Sequence, residues 1–260
     1  MHYVDASGEL VFRRYIQRKP IRIMQPESLV RFMQLKGCCL RSVYATANCY
    51  GTITSVEDVY DLSNIRYCTP TWDVDGVLSN WNETVAVAKE IVSFLNSWGV
   101  EKSLYIKWSG NGCHVHIHEE ALSEALLKKR HPLDLAYAVV EYVNSTLSQK
   151  FRELSPSGKT AVENKMDITR VFTSPLSLNR KLDVVCVCMK PYQLSDFSVE
   201  WISPSGFRHD TSWREFLEGE ADELAEAAYK KVGGYPASPR RRRRKSMPLD
   251  KHIKKWLERE

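Results

Sequence analysis

A strand–helix–strand–turn–strand pattern between Thr69 and His118 constrains the fold of this chain more than any other feature. The segment TPTWDVDGV (residues 69–77) predicts a strand that ends in an acidic pair and a glycine. Residues 83–98 place apolar side chains on one helical face, and Gly99 is a typical helix stop. The segments SLYIKW and CHVHIH predict two further strands on either side of a glycine turn. We therefore expect a β-α-β unit whose acidic strand end and glycine turn meet at one edge of a sheet.

The rest of the chain predicts a mixed α/β (α+β) protein. An N-terminal region of helix and strand extends to about residue 65, and EEALSEALLKK (119–129) and DLAYAVVEYVNSTLSQKF (134–151) predict two helices. LDVVCVCM (182–189) is typical of strand, and a last amphipathic helix is expected at about 212–232, before Gly233. We divide the chain into a domain at 1–235 and a basic C-terminal arm at 236–260 that ends in a short helix.

Composition excludes several classes of protein. The 260 residues have ordinary apolar and charged fractions, which excludes intrinsic disorder. The sequence has no signal-peptide pattern and no apolar run of membrane-spanning length, so we expect a soluble, cytoplasmic protein with no membrane partner. None of the seven cysteines forms a C-x-x-C pair, so we expect reduced thiols and no structural zinc.

The acidic pair suggests a metal site. Residues two apart on a strand share a face, so Asp73 and Asp75 lie side by side while Trp72 and Val74 face the other way. Repulsion between the two carboxylates becomes coordination if they share Mg²⁺ or Mn²⁺. The alternative is a solvent-facing strand end whose aspartates begin a turn with Gly76.

The glycine turn SGNGCH suggests a phosphate site. Gly110 and Gly112 permit positive φ, so the backbone of Ser109, Gly110, Asn111 and Gly112 can form an anion-binding nest to which His114 can add a donor. His114, His116 and His118 alternate along one strand face. Ligands so close on one strand seldom complete a tetrahedral zinc site, so polar alternation explains His116 and His118 better.

The segment VENKMDITRVFTSPLSLNRK (162–181) carries further acids and cations. Glu163 and Asp167 are candidate metal ligands, and Arg170, Arg180 and Lys181 are candidate phosphate-binding cations. The alternative is that Asp167 caps a short helix that ends at Pro175. Taken together, the three segments describe a site for two metal ions and a nucleoside triphosphate.

In the order and spacing of these segments, the chain resembles the archaeo-eukaryotic primase superfamily, over roughly residues 13–190. This superfamily includes the small catalytic subunit of DNA primase and the polymerases of prokaryotic end joining. Asp73 and Asp75 match its first motif, a hydrophobic strand ending in D-x-D. SGNGCH is similar to its second motif, S-G-x-x-G-x-H, with one residue fewer. MDITRVFTSPLSLNRK resembles its third, an acidic residue followed by R…P-x-S-L-H-x-K.

The resemblance implies a fold, an activity and roles for individual residues. The fold would be the primase core, with mixed β-sheets, an RRM-like unit and flanking helices. The activity would be template-dependent nucleotidyl transfer of DNA primase type, with two Mg²⁺ or Mn²⁺ ions held by Asp73, Asp75 and Asp167 or Glu163. The nucleotide-binding residues would be Ser109, Gly110, Asn111, Gly112, His114, Arg170, Asn179 and Lys181.

The chain departs from the family pattern at two functional positions. Asn179 stands where the family usually has the histidine of S-L-H, so it can donate a hydrogen bond to a phosphate but carries no charge. The third acidic ligand is ambiguous: we favour Asp167, with Glu163 as the alternative. The cysteine cluster that binds zinc in many primase small subunits has no counterpart.

A basic run near the C-terminus predicts contact with nucleic acid. The formal net charge of the chain is +5, and this run supplies six positive charges, so the remainder is close to neutral. Such runs are attracted to phosphates, and the alternative is a solvated tail without a specific ligand. The run consists of Arg240, Arg241, Arg242, Arg243, Arg244 and Lys245.

Several alternatives stay open at this point. One is a non-catalytic nucleic-acid-binding accessory subunit with a primase-like fold, and another is an end-joining repair polymerase. A metal-dependent phosphatase or nuclease using the same acids is a third. The partners implied are nucleoside triphosphates and single-stranded or primer-template DNA, with a large primase subunit or other replication or repair proteins as candidate protein partners.

Overall fold

The computed structural model describes residues 1–5, 7–23, 25–36 and 39–236. Its strands are β1 (His2–Val4), β2 (Leu10–Phe12), β3 (Tyr15–Ile16), β4 (Lys19–Pro20), β5 (Cys39–Ser42), β6 (Tyr44–Thr46), β7 (Asn48–Tyr50), β8 (Ile65–Cys68), β9 (Thr71–Asp75), β10 (Leu104–Trp108), β11 (Cys113–Ile117), β12 (Ala161–Glu163), β13 (Val171–Thr173) and β14 (Val187–Met189). Its α-helices are α1 (Pro26–Lys36), α2 (Val56–Tyr60), α3 (Trp81–Ser97), α4 (Glu124–Leu127), α5 (Pro132–Leu154) and α6 (Asp222–Val232).

A five-stranded sheet with the order β12-β9-β11-β10-β14 holds the D-x-D strand beside its centre. β11 pairs antiparallel with both β9 and β10, so β9 and β10 run parallel with β11 between them. Together with α3 and α5, the first four of these strands form a β-α-β-β-α-β unit of the ferredoxin-like, split β-α-β kind. The predicted α+β class and the β-α-β unit are confirmed.

Strict alternation in β9 and β11 separates an apolar face of the sheet from a polar one. Trp72, Val74, Val115 and Ile117 are fully buried in the hydrophobic core, which they share with α3 and α5. Burial of each large apolar side chain in such a core contributes about 1.5–3 kcal/mol. This pattern fixes the register, because a slip of one residue would turn the aspartates of β9 into the core.

The two longest helices lie close to where the sequence predicts them. α3 begins two residues before the predicted start and is followed by Gly99, whose φ of 77° only glycine adopts without strain. α5 extends the predicted helix at both ends, from Pro132 at its first turn to Leu154. The His131 side chain caps α5 by accepting a hydrogen bond from the Leu133 N–H.

Two other helix predictions need correction. The predicted helix at 119–129 is divided into a 3₁₀ turn at Glu119–Ala121 and the short α4, which the Ser123 side chain caps. The predicted helix at 212–232 is α-helical only over Asp222–Val232. Gly219, with a φ of 77°, turns the chain just before α6, and the Glu220 carboxylate there accepts the N–H groups of residues 101–103.

A small two-stranded ribbon, made of β6 and β13, lies against the polar face of the sheet. β13 pairs antiparallel with β6. Its central residue, Phe172, places its ring centroid 4.7 Å from that of His114 and 5.9 Å from that of His116. The ribbon therefore covers one side of the polar face and leaves the β9–β12 side more open.

In the described ranges, no helix combines the length and apolar character needed to cross a membrane.

Candidate active site

A row of polar side chains crosses the five-stranded sheet through the D-x-D strand. Glu163 of β12 lies opposite Asp73 of β9, Asp73 lies opposite His114 of β11, and His114 lies opposite Lys107 of β10. Residues paired across neighbouring strands share a face of the sheet. All four side chains therefore lie on the face away from α3 and α5.

Three carboxylates of this face converge on one ammonium group, that of Lys165. Its Nζ atom lies 2.7 Å from Asp73, 2.6 Å from Asp75 and 3.0 Å from Glu163, each measured to the nearest carboxylate oxygen. We call Asp73, Asp75 and Glu163 the acid cluster. Lys165 thereby offsets the repulsion between the two aspartates of β9.

The members of the acid cluster differ in exposure. The side chain of Asp73 is only 13% exposed, whereas those of Asp75 and Glu163 are 62% and 57% exposed. Asp73 is therefore the buried member of the cluster, and the other two carboxylates are open to solvent.

His114 is the second partner of Asp73. Its Nε2 atom lies 3.2 Å from a carboxylate oxygen of Asp73 and 3.5 Å from the Ser109 hydroxyl oxygen. The Nδ1 atom is buried and has no hydrogen-bond partner among the described residues. The aspartate thus orients the imidazole toward the acid cluster, and the same ring nitrogen lies next to Ser109 of the glycine turn.

Burial and ion pairing set the charges of Asp73 and His114. Burial acts to raise the pKa of Asp73, but His114 and the Lys165 ammonium outweigh it and hold this pKa well below its usual value. Burial lowers the pKa of His114, against the opposing effect of Asp73. Asp73 is therefore a carboxylate at neutral pH, and His114 is a neutral imidazole that donates its Nε2–H to it.

The two glycines of the turn are required for close approach to neighbouring atoms. A Cβ atom on Gly112 would collide with the Val74 carbonyl oxygen, and one on Gly110 would collide with the Asn179 amide. Gly112 does not have a positive φ, and Gly110, at 158°, is nearly extended. Positive φ at Gly112 is therefore not observed, and anion binding by the turn stays a prediction. The tight packing instead fixes the turn directly against the end of β9.

The S-L-N segment (residues 177–179) contacts the glycine turn through Asn179. The Asn179 side chain donates to the Ser109 carbonyl at 2.6 Å and accepts the N–H groups of Lys181 and Leu182 at 2.8 and 3.0 Å. Asn179 is thus a positioning residue in this structure, since its amide oxygen and nitrogen are both bonded to the protein. Lys181 and Asn111 are exposed beside the turn.

Asp167 and Arg170 pair with each other rather than with the acid cluster. The Asp167 carboxylate accepts the Thr169 N–H at 2.8 Å and the Arg170 guanidinium at 2.6 Å. Glu163, the alternative third ligand, lies in the acid cluster instead. The short helix ending at Pro175 is also wrong, because residues 171–173 pair with β6 as a strand.

The other two histidines of β11 have separate environments. His116 Nδ1 is 2.8 Å from the Thr71 hydroxyl, and the ring stacks on Tyr105 with centroids 4.5 Å apart. His118 accepts the Glu120 N–H and stacks on Phe216. The three histidines thus do not converge on one point.

Two lysines of the site were missed by the sequence analysis. Lys165 shares the strand parity of Glu163, and this alternation could have placed it on the same face. Lys107 is 7% exposed, burial lowers its pKa, and its Nζ lies 5.4 Å from the Phe172 ring centroid. It adds positive charge beneath His114.

Within the ranges that the structure describes, no group of three or more His, Cys, Asp or Glu side chains stands in a geometry ready to hold a metal ion. In the acid cluster, the Lys165 ammonium lies between the carboxylates.

The basic run of Arg240 to Lys245 and the predicted short helix after it lie outside the described residues.

Comparison of the chain with protein-family models and with curated proteins gave no match.

Proposed function

We propose that the chain is a metal-dependent, template-directed nucleotidyltransferase of DNA primase type. The observation that carries this proposal is the convergence of Asp73, Asp75 and Glu163 on a single cation, next to His114 and the glycine turn. These residues come from three separate segments of the sequence, 69–77, 109–118 and 162–181. Their meeting on one sheet face supports a reacting centre rather than three unrelated surface features.

The chemistry of the donor set fits Mg²⁺ or Mn²⁺. The acid cluster supplies carboxylate oxygens only, the ligand type that these hard ions prefer, and two of its three side chains are open to solvent. Asp73, Asp75 and Glu163 would hold the ions. Bound divalent ions would lower the pKa of an attacking 3′-hydroxyl and neutralise the triphosphate.

Residues around the turn would bind the triphosphate of the incoming nucleotide. Ser109 and Asn111 offer a hydroxyl and an amide beside the acid cluster, and exposed Lys181 offers a positive charge. His114 is held by Asp73 with its Nε2–H toward the cluster, and Asn179 fixes the Ser109 carbonyl. Positioning and charge neutralisation of this kind account for most of the acceleration in phosphoryl transfer.

The fold supports the same proposal. The split β-α-β unit corresponds to the RRM-like unit that the resemblance implies, and the polar row lies on its helix-free face. The ribbon of β6 and β13 packs on that face through Phe172 and leaves the acid cluster on the more open side. The C-terminal basic run is the candidate contact with template DNA.

Nucleotide incorporation tests the proposal directly. The full chain, with Mg²⁺ or Mn²⁺, is assayed for incorporation of labelled ribo- and deoxynucleotides on a single-stranded template, with and without primer. The matched variant is the double substitution Asp73→Asn and Asp75→Asn, with its fold checked by circular dichroism. We expect incorporation by the wild type that EDTA and the double variant abolish. Undiminished incorporation by a folded double variant would overturn the proposal.

A second function has one observation in its favour. Because Lys165 pairs with all three carboxylates, the acid cluster is also a complete ion-pair network without a metal. This favours a nucleic-acid-binding accessory subunit that keeps the fold and has no polymerase activity. Binding of single-stranded DNA with no incorporation under any metal condition would select this second function.

A further inference from the structure

Lys165 contacts the acid cluster, and nucleotidyl transfer as proposed leaves it without a role. It lies two residues beyond Glu163, the last residue of β12, and its side chain is 26% exposed. Its ammonium lies within 3.0 Å of Asp73, Asp75 and Glu163.

Lys165 is the cation that contacts the whole acid cluster, whereas Lys107 lies one strand farther away, beyond His114. Among the described residues, the only other group within ion-pair distance of these carboxylates is the His114 ring, which pairs with Asp73 alone. Without Lys165, three carboxylates would repel one another around an unfilled space.

A divalent ion bound by the same three carboxylates would come into conflict with the ammonium. The Nζ atom already has each carboxylate at hydrogen-bond distance, so the ion and the ammonium need the same oxygens. The Lys165 side chain is flexible and partly exposed, so its ammonium group can move into solvent without moving β12. The carboxylate oxygens then become free to bind the divalent ion.

We propose that Lys165 is a tethered cation that keeps the acid cluster assembled in the metal-free protein and that a divalent ion must displace in order to bind. The inference rests on the proposed function, because it takes the acid cluster to be the metal site. It predicts that the lysine stabilises the metal-free protein and weakens metal affinity. Loss of the lysine should therefore lower the stability of the metal-free protein and raise its metal affinity. Both changes can be measured without any assay of activity.

Binding of Mn²⁺ to the full chain is the first measurement, by electron paramagnetic resonance or calorimetry. Lys165→Met removes the charge and keeps the length of the side chain. Lys159→Met removes the same charge from an exposed lysine of the preceding loop and serves as the matched control. We expect Lys165→Met to bind Mn²⁺ about tenfold more tightly or better, the effect of removing one competing ion contact near a protein surface. Lys159→Met and Lys165→Arg should stay within about twofold of the wild type, the latter because it keeps the cation.

Thermal unfolding is the second measurement. In EDTA, Lys165→Met should melt at a lower temperature than the wild type and Lys159→Met, and saturating Mg²⁺ should restore its melting temperature. Restoration by Mg²⁺ separates loss of the cation from a general packing defect.

The possible outcomes separate the inference from the proposed function. Equal Mn²⁺ affinity of Lys165→Met and the wild type, or weaker binding by the variant, would overturn the role of Lys165 and leave the metal site standing. Absence of Mn²⁺ binding by both proteins would overturn the metal site, and with it the inference and the proposed function. Tighter binding by Lys165→Met that Asp73→Asn abolishes in the double variant is the result we expect.

Discussion

Asp73 and His114 face each other across β9 and β11, with His114 Nε2 3.2 Å from the Asp73 carboxylate. The pair connects the acid cluster to the glycine turn, because the same nitrogen lies 3.5 Å from the Ser109 hydroxyl. Asp73 is also bonded to Lys165, so one carboxylate joins a candidate metal-binding group to a candidate phosphate-binding group. Asp73 is therefore the residue whose charge affects the site most.

The stability provided by Asp73 should depend on pH. Its pKa is lowered in the folded chain, so the stabilisation is complete above the unfolded pKa of about 3.9 and is lost as pH falls below it. Asp73→Asn should reduce the free energy of unfolding by about 1–3 kcal/mol at pH 7, because it leaves two partly buried donors without their anion. The difference from the wild type should shrink as pH falls below about 4.

Urea unfolding at a series of pH values measures this effect. Asp196→Asn, at an exposed aspartate, is the matched control and should show no such dependence. If the free energies of unfolding of Asp73→Asn and the wild type differed by a constant amount from pH 7 to pH 3, the assignment of Asp73 as a paired carboxylate would be contradicted.

Glu163 rather than Asp167 should be the third metal ligand. Glu163→Gln should weaken Mn²⁺ binding about tenfold or more, because it removes one of the charged oxygen ligands of the cluster. Asp167→Asn should leave Mn²⁺ affinity nearly unchanged and lower stability by about 0.5–1.5 kcal/mol, because its bonds to Arg170 and Thr169 are weakened. Calorimetric titration of the two variants measures both affinities, and the reverse ranking would favour Asp167.

Gly112 should tolerate no side chain. In Gly112→Ala the new Cβ would collide with the Val74 carbonyl oxygen, and neither backbone can move without disturbing the pairing of β9 with β11. We expect a decrease of about 1–3 kcal/mol in the free energy of unfolding. Gly206→Ala is the control, since nothing lies within 4 Å of its added Cβ. Equal stability of the two variants would show that the turn is looser than the structure indicates.

The basic run should bind DNA through phosphates. Replacement of Arg240 to Lys245 by glutamine should weaken binding to single-stranded DNA and flatten the dependence of log K on log salt by about 0.7 for each phosphate that the protein no longer neutralises. Fluorescence anisotropy at several salt concentrations measures the slope. An unchanged slope would exclude the run from the DNA-binding surface.

Local patterns predicted the elements that carry the site. Alternation placed Asp73 and Asp75 on one face of a strand, and the apolar period of residues 83–98 predicted α3. These inferences depend on neighbours in sequence, where steric and hydrophobic rules are strong. The same parity rule, extended from Glu163 by two residues, would have found Lys165.

Long-range packing was beyond such rules. Motif spacing favoured Asp167 as the third metal ligand. In the structure, the Asp167 carboxylate binds Thr169 and Arg170 instead. The acid closer to Asp73 is identified by the sheet pairing of Glu163 with Asp73. The glycines of the turn suggested a phosphate nest, but no local pattern indicated their close contacts with Val74 and Asn179. The packing of Phe172 on His114 joins residues 58 positions apart, and no local pattern indicates it.

Anomalous diffraction from crystals of the full chain grown with Mn²⁺ tests most directly whether the acid cluster binds a divalent ion. We predict a manganese peak about 2.0–2.2 Å from carboxylate oxygens of Asp73, Asp75 and Glu163. The Lys165 ammonium should be displaced from its present position. A Mn²⁺-saturated crystal with Lys165 still between the three carboxylates and no metal beside them would contradict the proposed site.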